Sequence, residues 1–469
     1  MNVRRIVLSL LLAAALVPAA CQQTGPPSGD EPEVFMTVDG NAVLRTVSPG
    51  LIFGANLGAW VSDTKLGTTT QNLLEALRPS VARFPGGNIS NNFCWVEQMV
   101  SDNDHLVWQD WSWGIDVGEF IAFIKSVDCV PMFSLNPFDH AIDGVPHSAA
   151  NEAEDLARVF VDEGFAGAYY EVGNENDGSW NPMLTIEEYA DRFVLLARAV
   201  KTIDPSAQFM GPVGSGTSSW IDGFLDRLAL LGATGLLDWI SFHRYGGWIS
   251  NSNANGIGLD DPQQFGLDLA AIRASLDGRG LGRVKIAVTE INAAIWDTGC
   301  TRDQFTIKQG LWLADALGVS LLKADAVNVW IHLHPGADPH ALIDSEASPP
   351  AATKNYWPVA LPAQTLSSAD PAAPVEVLAV ARDVGDQVMT AYAVRKTDGA
   401  LGVLLLNKSD RSYDVAVNLP AYPQAVTARR IGPQEYDAGT GPAAANVRID
   451  ARRARISVPA KSIVGLDVR

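Results

Sequence analysis

Little in this chain serves cross-linking, polyanion binding or membrane crossing. Only four cysteines occur in 469 residues. Beyond Cys21 they are Cys94, Cys129 and Cys300, too few for a disulfide scaffold or a zinc ribbon and enough for one bridge in an oxidising compartment. Basic residues are outnumbered, 34 Lys and Arg against 53 Asp and Glu, which gives a net charge of −19 and a pI near 4.7. Binding nucleic acid or an anionic membrane relies on Lys and Arg neutralising phosphates, so that balance argues against both partners. A neutral polymer or a small glycan suits such a surface. The apolar stretch from Ile6 to Val17 is too short and too early to span a bilayer as a mature helix. No internal repeat is visible, and low complexity is confined to QQTGPPSGDEPE, Gln22 to Glu33.

What is present begins with an export-type leader. MNVRRIVLSLLLAAALVPAAC carries two arginines, an apolar core and small residues before Cys21, the layout of a secretory signal over residues 1–21. Its Ala19-Ala20-Cys21 ending resembles a bacterial lipoprotein cleavage box, in which Cys21 becomes the lipidated first residue and gives the only expected link to a membrane. The expected location is therefore periplasmic, cell-surface or extracellular. Residues 22–32 read as a flexible tether.

Between Phe53 and Leu333 short apolar strands alternate with amphipathic helical stretches, which favours parallel βα units. Strand candidates begin at Phe53, Val81, Val130, Tyr169, Phe209, Trp239, Lys285 and Val327. Thr185-Ile186-Glu187-Glu188 is a capping-box pattern ahead of YADRFVLLARAV. Eight strands over about 280 residues fit a closed (β/α)₈ barrel, expected over residues 50–336. From about His340 the texture changes to apolar and polar alternation with no long helical stretch, so residues 337–469 are expected to form a β-sandwich. EVFMTVDGNAVLRTVS reads as a hairpin around Asp39-Gly40, and residues 33–49 are expected to join that sandwich. Cys94 and Cys300 follow the second and seventh strands and are the pair placed to bridge.

Chemistry concentrates in two segments, YYEVGNEND (Tyr169 to Asp177) and KIAVTEIN (Lys285 to Asn292). Each delivers a carboxylate, Glu175 or Glu290, just after a run of β-forming residues, and in a (β/α)₈ barrel those positions face the active-site mouth. Double displacement at a sugar needs such a pair about 5–5.5 Å apart, one to protonate the leaving oxygen and one to attack the anomeric carbon. The Asn-Glu pair of EVGNE on strand four with Thr-Glu on strand seven resembles the clan A retaining glycoside hydrolases. Within that clan RFPGGN (Arg83 to Asn88), WSWGIDVGEF, VPMFSLN, YYEVGNEND, DWISFHRYG and VTEIN are most similar to family 51 α-L-arabinofuranosidases, with parts of the pattern shared by families 39, 44 and 79.

The resemblance implies roles. Glu175 would be the acid, with a pKa raised by desolvation and by negative Glu290. Glu290 would be the nucleophile, held by Arg83 and Tyr245, and Asn174 would bond the sugar 2-hydroxyl. Glu171, deeper on strand four, is expected in a structural ion pair, with Arg83 the alternative partner. Trp180, Trp248 and Trp296 follow strands four, six and seven and are the expected stacking platforms for sugar rings; Trp95, Trp108, Trp111 and Trp113 are divided between that use and packing. His332, His334 and His340 do not make a metal site by spacing, and His332 is expected to line the sugar pocket. No metal or organic cofactor is required for the chemistry. The expected activity is α-L-arabinofuranosidase on polysaccharide-derived glycans. The alternatives are β-glucuronidase, β-xylosidase or endo-glucanase, and, from another class, a non-catalytic surface glycan-binding protein.

Overall fold

A computed structural model describes residues 32–216, 219–247, 256–295 and 300–469. Eight parallel strands close into a barrel in chain order: Gly54–Asn56, Val81–Phe84, Val130–Leu135, Tyr169–Val172, Gln208–Gly214, Trp239–Gly246, Lys285–Ala293 and Ala326–Val329. These are the strands the sequence reading places, and helices such as Val117–Ser126, Ala149–Asp162, Ile186–Ile203 and Ile307–Lys323 connect them. The Ile186–Ile203 helix starts where its capping box predicts. Thr185 accepts from the Glu188 N–H and the Glu188 carboxylate accepts from the Thr185 N–H, which satisfies two donors that a helix start leaves open.

Side-chain alternation along the strands sorts the barrel interior into two layers. Near the N-terminal end Val81, Met132, Met210, Trp239, Ala287 and Ala326 form a small apolar plug. Two residues further along several strands the inward positions turn polar: Arg83, Ser134, Glu171 and Ser241 are all buried there. Outward positions such as Phe84, Tyr170, Val172 and Phe242 belong to the main apolar core under the helices, each large one contributing about 1.5–3 kcal/mol by burial.

Strand seven departs from simple alternation at the position that matters. Ala287 and Val288 pair with Ser241 and Phe242, but the next pair is His243 with Glu290, so Thr289 is an extra residue. Period-two alternation from inward Ala287 would send Glu290 outward. The bulge at Thr289 restores its inward aim, facing His243.

Apart from three small sheets of two or three strands, the other described strands form one ten-stranded, mostly antiparallel sheet. Its two ends fold over each other, bringing Val426–Ile431 near Val447–Asp450, and the enclosed faces make a separate core from residues such as Val34, Met36, Val403, Val415, Ile456 and Val464. This is the β-sandwich. The expected hairpin at Asp39-Gly40 is corrected: Val34–Val47 is a single strand that pairs along Val375–Arg382 and bulges between Asp39 and Val43. The Asp39 carboxylate accepts from the Asn41 N–H, a local turn that absorbs extra residues without reversing the chain. The expectation of no long helix after His340 is corrected too. Trp357–Leu366 is helical despite Pro358 and Pro362, and its residues are buried between barrel and sandwich. Pro358 sits in the first turn, where its missing N–H has no partner to lose.

No disulfide joins Cys94 to Cys300. Cys94, Cys129 and Cys300 are free, buried thiols, and Cys300 Sγ donates to the Gly247 carbonyl at 3.4 Å. Among the described residues no helix is long and apolar enough to cross a membrane. Cys21 lies outside the described residues.

Candidate active site

At the C-terminal end of the barrel a cavity of about 760 Å³ is lined by Trp60, Asn88, Glu175, Trp180, Tyr245, Glu290 and Trp330, among others. Glu175 reaches it through an unusual stretch of backbone. After strand four Gly173 has φ +68° and Glu175 φ +45°, both left-handed. The turn is held by the Glu175 N–H donating to the Val213 carbonyl and by Asn91, whose side-chain oxygen accepts from the Asn174 N–H. Left-handed backbone at a non-glycine residue is strained, and here it aims a carboxylate at its partner across the barrel mouth.

The two carboxylates converge. Single oxygens of Glu175 and Glu290 and a ring nitrogen of His243 all lie within 4.8 Å of one another. His243 Nδ1 is 2.7 Å from Glu175 Oε1 and 3.6 Å from Glu290 Oε2. Glu290 is further bound by Arg83 Nη1 at 2.8 Å and by the Tyr245 hydroxyl at 2.6 Å. Trp180 Nε1 donates to Glu175 Oε2 at 2.7 Å. Arg83 spends its other donors on Glu171 at 2.6 Å, the Asn174 side-chain oxygen at 2.8 Å and the Asn56 side-chain oxygen at 3.1 Å. The ion pair expected for Glu171 thus forms, and Arg83 serves both carboxylates at once.

These contacts set the charges. Burial alone would push the Glu175 carboxyl up, but the hydrogen bond and charge of His243 and the Trp180 N–H outweigh it, so its pKa falls below the ordinary value. This corrects the expectation of a raised pKa: desolvation acts as anticipated, but a cation within hydrogen-bond reach overrides it. Burial likewise lowers the His243 pKa, and negative Glu290 with the Glu175 bond more than reverse that, so it ends above the ordinary imidazole value. Burial and the neighbouring Glu290 charge lift the Tyr245 phenol well above its usual range, which keeps it a donor. The two shifts act together, favouring an ionised Glu175 and a protonated His243 lying between the two carboxylates.

Several expected site residues fall elsewhere. His332 does not line the cavity. It is completely buried, its Nδ1 accepts from the Asn56 N–H, and burial drives its pKa down to about 3, which makes it a neutral packing group beneath the site. Arg83 and Asn174 are also buried, so they reach the cavity through other side chains; the Asn174 amide donates to Asn88, which does line it. Trp180 lines the cavity as expected. Trp248 and Trp296 lie outside the described residues. Trp95, Trp108, Trp111 and Trp113 do not line the cavity; Trp95 donates to the Glu152 carbonyl and Trp108 packs on the His140 ring. Sequence reasoning missed His243, Asn88, Trp60 and Trp330. The signal for His243 is its place two residues before Tyr245 on one strand, which puts both on the same face.

No protein-family model matches this chain. Its fold is shared with solved structures along nearly its whole length. An α-L-arabinofuranosidase from Thermotoga maritima superposes with a TM-score of 0.73 at 16% identity, covering 93% of this chain and 99% of that one. A family 51 arabinofuranosidase from Xanthomonas axonopodis gives 0.68 at 18% identity, covering 94% and 100%. A family 44 xyloglucanase from Paenibacillus polymyxa gives 0.68 at 15%, covering 93% and 99%. In sequence, the chain is similar to intracellular exo-α-(1→5)-L-arabinofuranosidases of Streptomyces lividans, 27% identical over 195 residues, and of Acetivibrio thermocellus, 27% identical over 212 residues. The match covers 37% and 40% of this chain and only 30% and 41% of those relatives. These comparisons overturn the expectation of export: the two relatives, with a third from Bacillus subtilis, carry names that describe intracellular enzymes.

Proposed function

We propose that the protein is a retaining glycoside hydrolase whose substrate is an α-L-arabinofuranoside of a polysaccharide-derived glycan. Residues 50–336 carry the catalytic barrel and residues 337–469 the accessory sandwich. The observation that carries the reading is that one oxygen of Glu175 and one of Glu290 come within 4.8 Å of each other in the lining of an aromatic-rich cavity, a convergence that suits the closer spacing of a retaining pair. An inverting pair stands about 6.5–9.5 Å apart to admit a water, whereas direct attack wants about 5–5.5 Å. The named activity of the relatives supports the choice of sugar.

Glu290 attacks the anomeric carbon, its orientation fixed by Arg83 and Tyr245. Glu175 protonates the departing oxygen. It acquires that proton from His243 over the 2.7 Å contact as substrate displaces water and the carboxylate loses solvation. In the second half-reaction ionised Glu175 takes a proton from water, the hydroxide opens the glycosyl ester on Glu290, and the proton returns to His243. Both carboxylates and the imidazolium are regenerated. Trp60, Trp180 and Trp330 offer indole faces to sugar rings.

A panel of nitrophenyl glycosides tests this directly. Release from the α-L-arabinofuranoside, with the anomeric configuration retained when followed by NMR, is the expected result. Turnover of only the β-xyloside, β-glucuronide or a β-glucan would move the activity within the clan. An inverted product would overturn double displacement, and no turnover of any member would favour a glycan-binding protein.

A further inference from the structure

Away from the carboxylate pair, the loops after barrel strands two and three bring together four side chains of metal-ligating type. Cys94 closes the short strand Phe93–Cys94. His140 and His147 stand opposite each other across the hairpin of His140–Ile142 and Val145–His147. Glu152 lies in the first turn of the Ala149–Asp162 helix. One donor atom from each of the four lies within 4.8 Å of all the others.

Four of the six donor-to-donor spacings run from 3.1 to 3.9 Å, around the edge length of a tetrahedral zinc site. Cys94 Sγ is 3.3 Å from Glu152 Oε1 and 3.9 Å from His147 Nδ1. His147 Nδ1 is 3.1 Å and His140 Nε2 3.5 Å from the same carboxylate oxygen. Ligands at zinc distances of about 2.0–2.3 Å, set at tetrahedral angles, stand about 3.3–3.6 Å from one another. A second observation points the same way. The His140 side chain is fully buried and its Nε2 has no hydrogen-bond partner. Its Nδ1 is 3.1 Å from the Phe138 carbonyl, which can only accept, so Nδ1 carries the hydrogen. For the neutral ring that leaves an Nε2 lone pair 3.5 Å from a carboxylate oxygen, an unfavourable contact that a cation or a proton between them relieves. A carbonyl behind the distal nitrogen is also how ligating histidines are oriented. Trp108 covers the ring, with 4.6 Å between centroids.

We propose that Cys94, His140, His147 and Glu152 bind one zinc ion. The donor set of thiolate, two imidazoles and a carboxylate is borderline-soft and suits zinc over calcium or magnesium. Four protein ligands leave no open position, so the ion is structural. It ties the strand-two loop to the strand-three hairpin and helix. The strand-two loop also carries Asn88 and Asn91, which hold Asn174. The ion therefore braces the frame of the cavity from outside it.

The test uses the intact protein purified without chelators. We expect about one zinc per chain by elemental analysis, a rise in Tm on zinc addition to chelator-treated protein, and, on cobalt(II) substitution, a thiolate-to-cobalt charge-transfer band with the intense visible bands of a tetrahedral site. Cys94→Ser should abolish the charge-transfer band. His147→Ala, at the more exposed ligand, should at least halve the zinc content in a protein that remains folded by circular dichroism. Folded wild-type protein with substoichiometric zinc and no thiolate–cobalt band after reconstitution would overturn the proposal, as would full zinc content in the folded His147→Ala variant with an unchanged cobalt spectrum.

Discussion

A carboxyl group that must deliver a proton cannot stay ionised throughout a reaction, yet Glu175 is held below the ordinary carboxylate pKa by a bonded imidazolium. The acid is therefore best treated as a pair, with His243 storing the proton and Glu175 delivering it. Glu290→Ala should abolish turnover of every substrate. Glu175→Ala should slow unactivated glycosides by about 10²–10⁴-fold while sparing aryl glycosides whose leaving group needs no protonation; equal losses on both would remove Glu175 from the acid role. His243 also gives a signature in stability. Folding raises its pKa, so the bound proton contributes fully below the unfolded value of about 6.5 and the contribution fades as pH climbs through the higher folded value. In denaturant melts the advantage of wild type over His243→Gln should be greatest below about pH 6.5 and shrink above it. An advantage that grows with pH would mean that the folded site holds neutral imidazole. The positions of Glu175 and Glu290 are legible in the sequence because each ends a β-forming run. The storage role of His243 is not, because inside DWISFHRYG it is one more alternating residue until the strand pairing places it opposite Glu290.

At the scale of elements, periodicity finds strands and misses the irregularities that aim them. All eight barrel strands are visible as apolar runs, but the extra residue at Thr289 that turns Glu290 inward has no glycine or proline to mark it. The helix Trp357–Leu366 hides for the opposite reason. It is buried on nearly every side, so it has no polar face for a 3.6-residue pattern to reveal. The turn after strand four is better marked, since Gly173 supplies the left-handed residue that lets Asn174 and Glu175 swing into the mouth. A Cβ on Gly173 would stand 2.1 Å from the Asn176 side-chain oxygen. Gly173→Ala should therefore destabilise the protein by at least about 1–2 kcal/mol for the left-handed backbone alone, with the clash added. It should also lower kcat more than it raises KM, because the displaced groups are the ones that act in the transition state. A variant with unchanged kcat would show that the turn tolerates repacking.

The whole molecule is one cooperative body if its two domains share more than a surface, and the sequence texture that separates barrel from sandwich says nothing about that. The main apolar core runs through the boundary, taking in Leu317 and Leu321 of the last barrel helix, Leu361 of the intervening helix and Leu404, Leu406 and Ile463 of the sandwich. Within it lies a buried charge pair. Asp315 on the Ile307–Lys323 helix accepts from Lys408 Nζ at 2.8 Å, with both side chains fully buried, and from the hydroxyls of Thr390 at 2.7 Å and Tyr392 at 2.6 Å. Such a pair adds little over a well-packed apolar substitute, but removing one member strands a charge in the interior at about 3–5 kcal/mol. Asp315→Ala and Lys408→Met should each destabilise on that scale. The double variant should lose much less than the sum, because no orphaned charge remains. Barrel and sandwich should melt in a single transition in wild type, followed by tryptophan fluorescence and far-ultraviolet circular dichroism. If the two single losses simply add in the double variant, or if the probes separate into two transitions in wild type, the buried pair does not couple the domains and each folds on its own core.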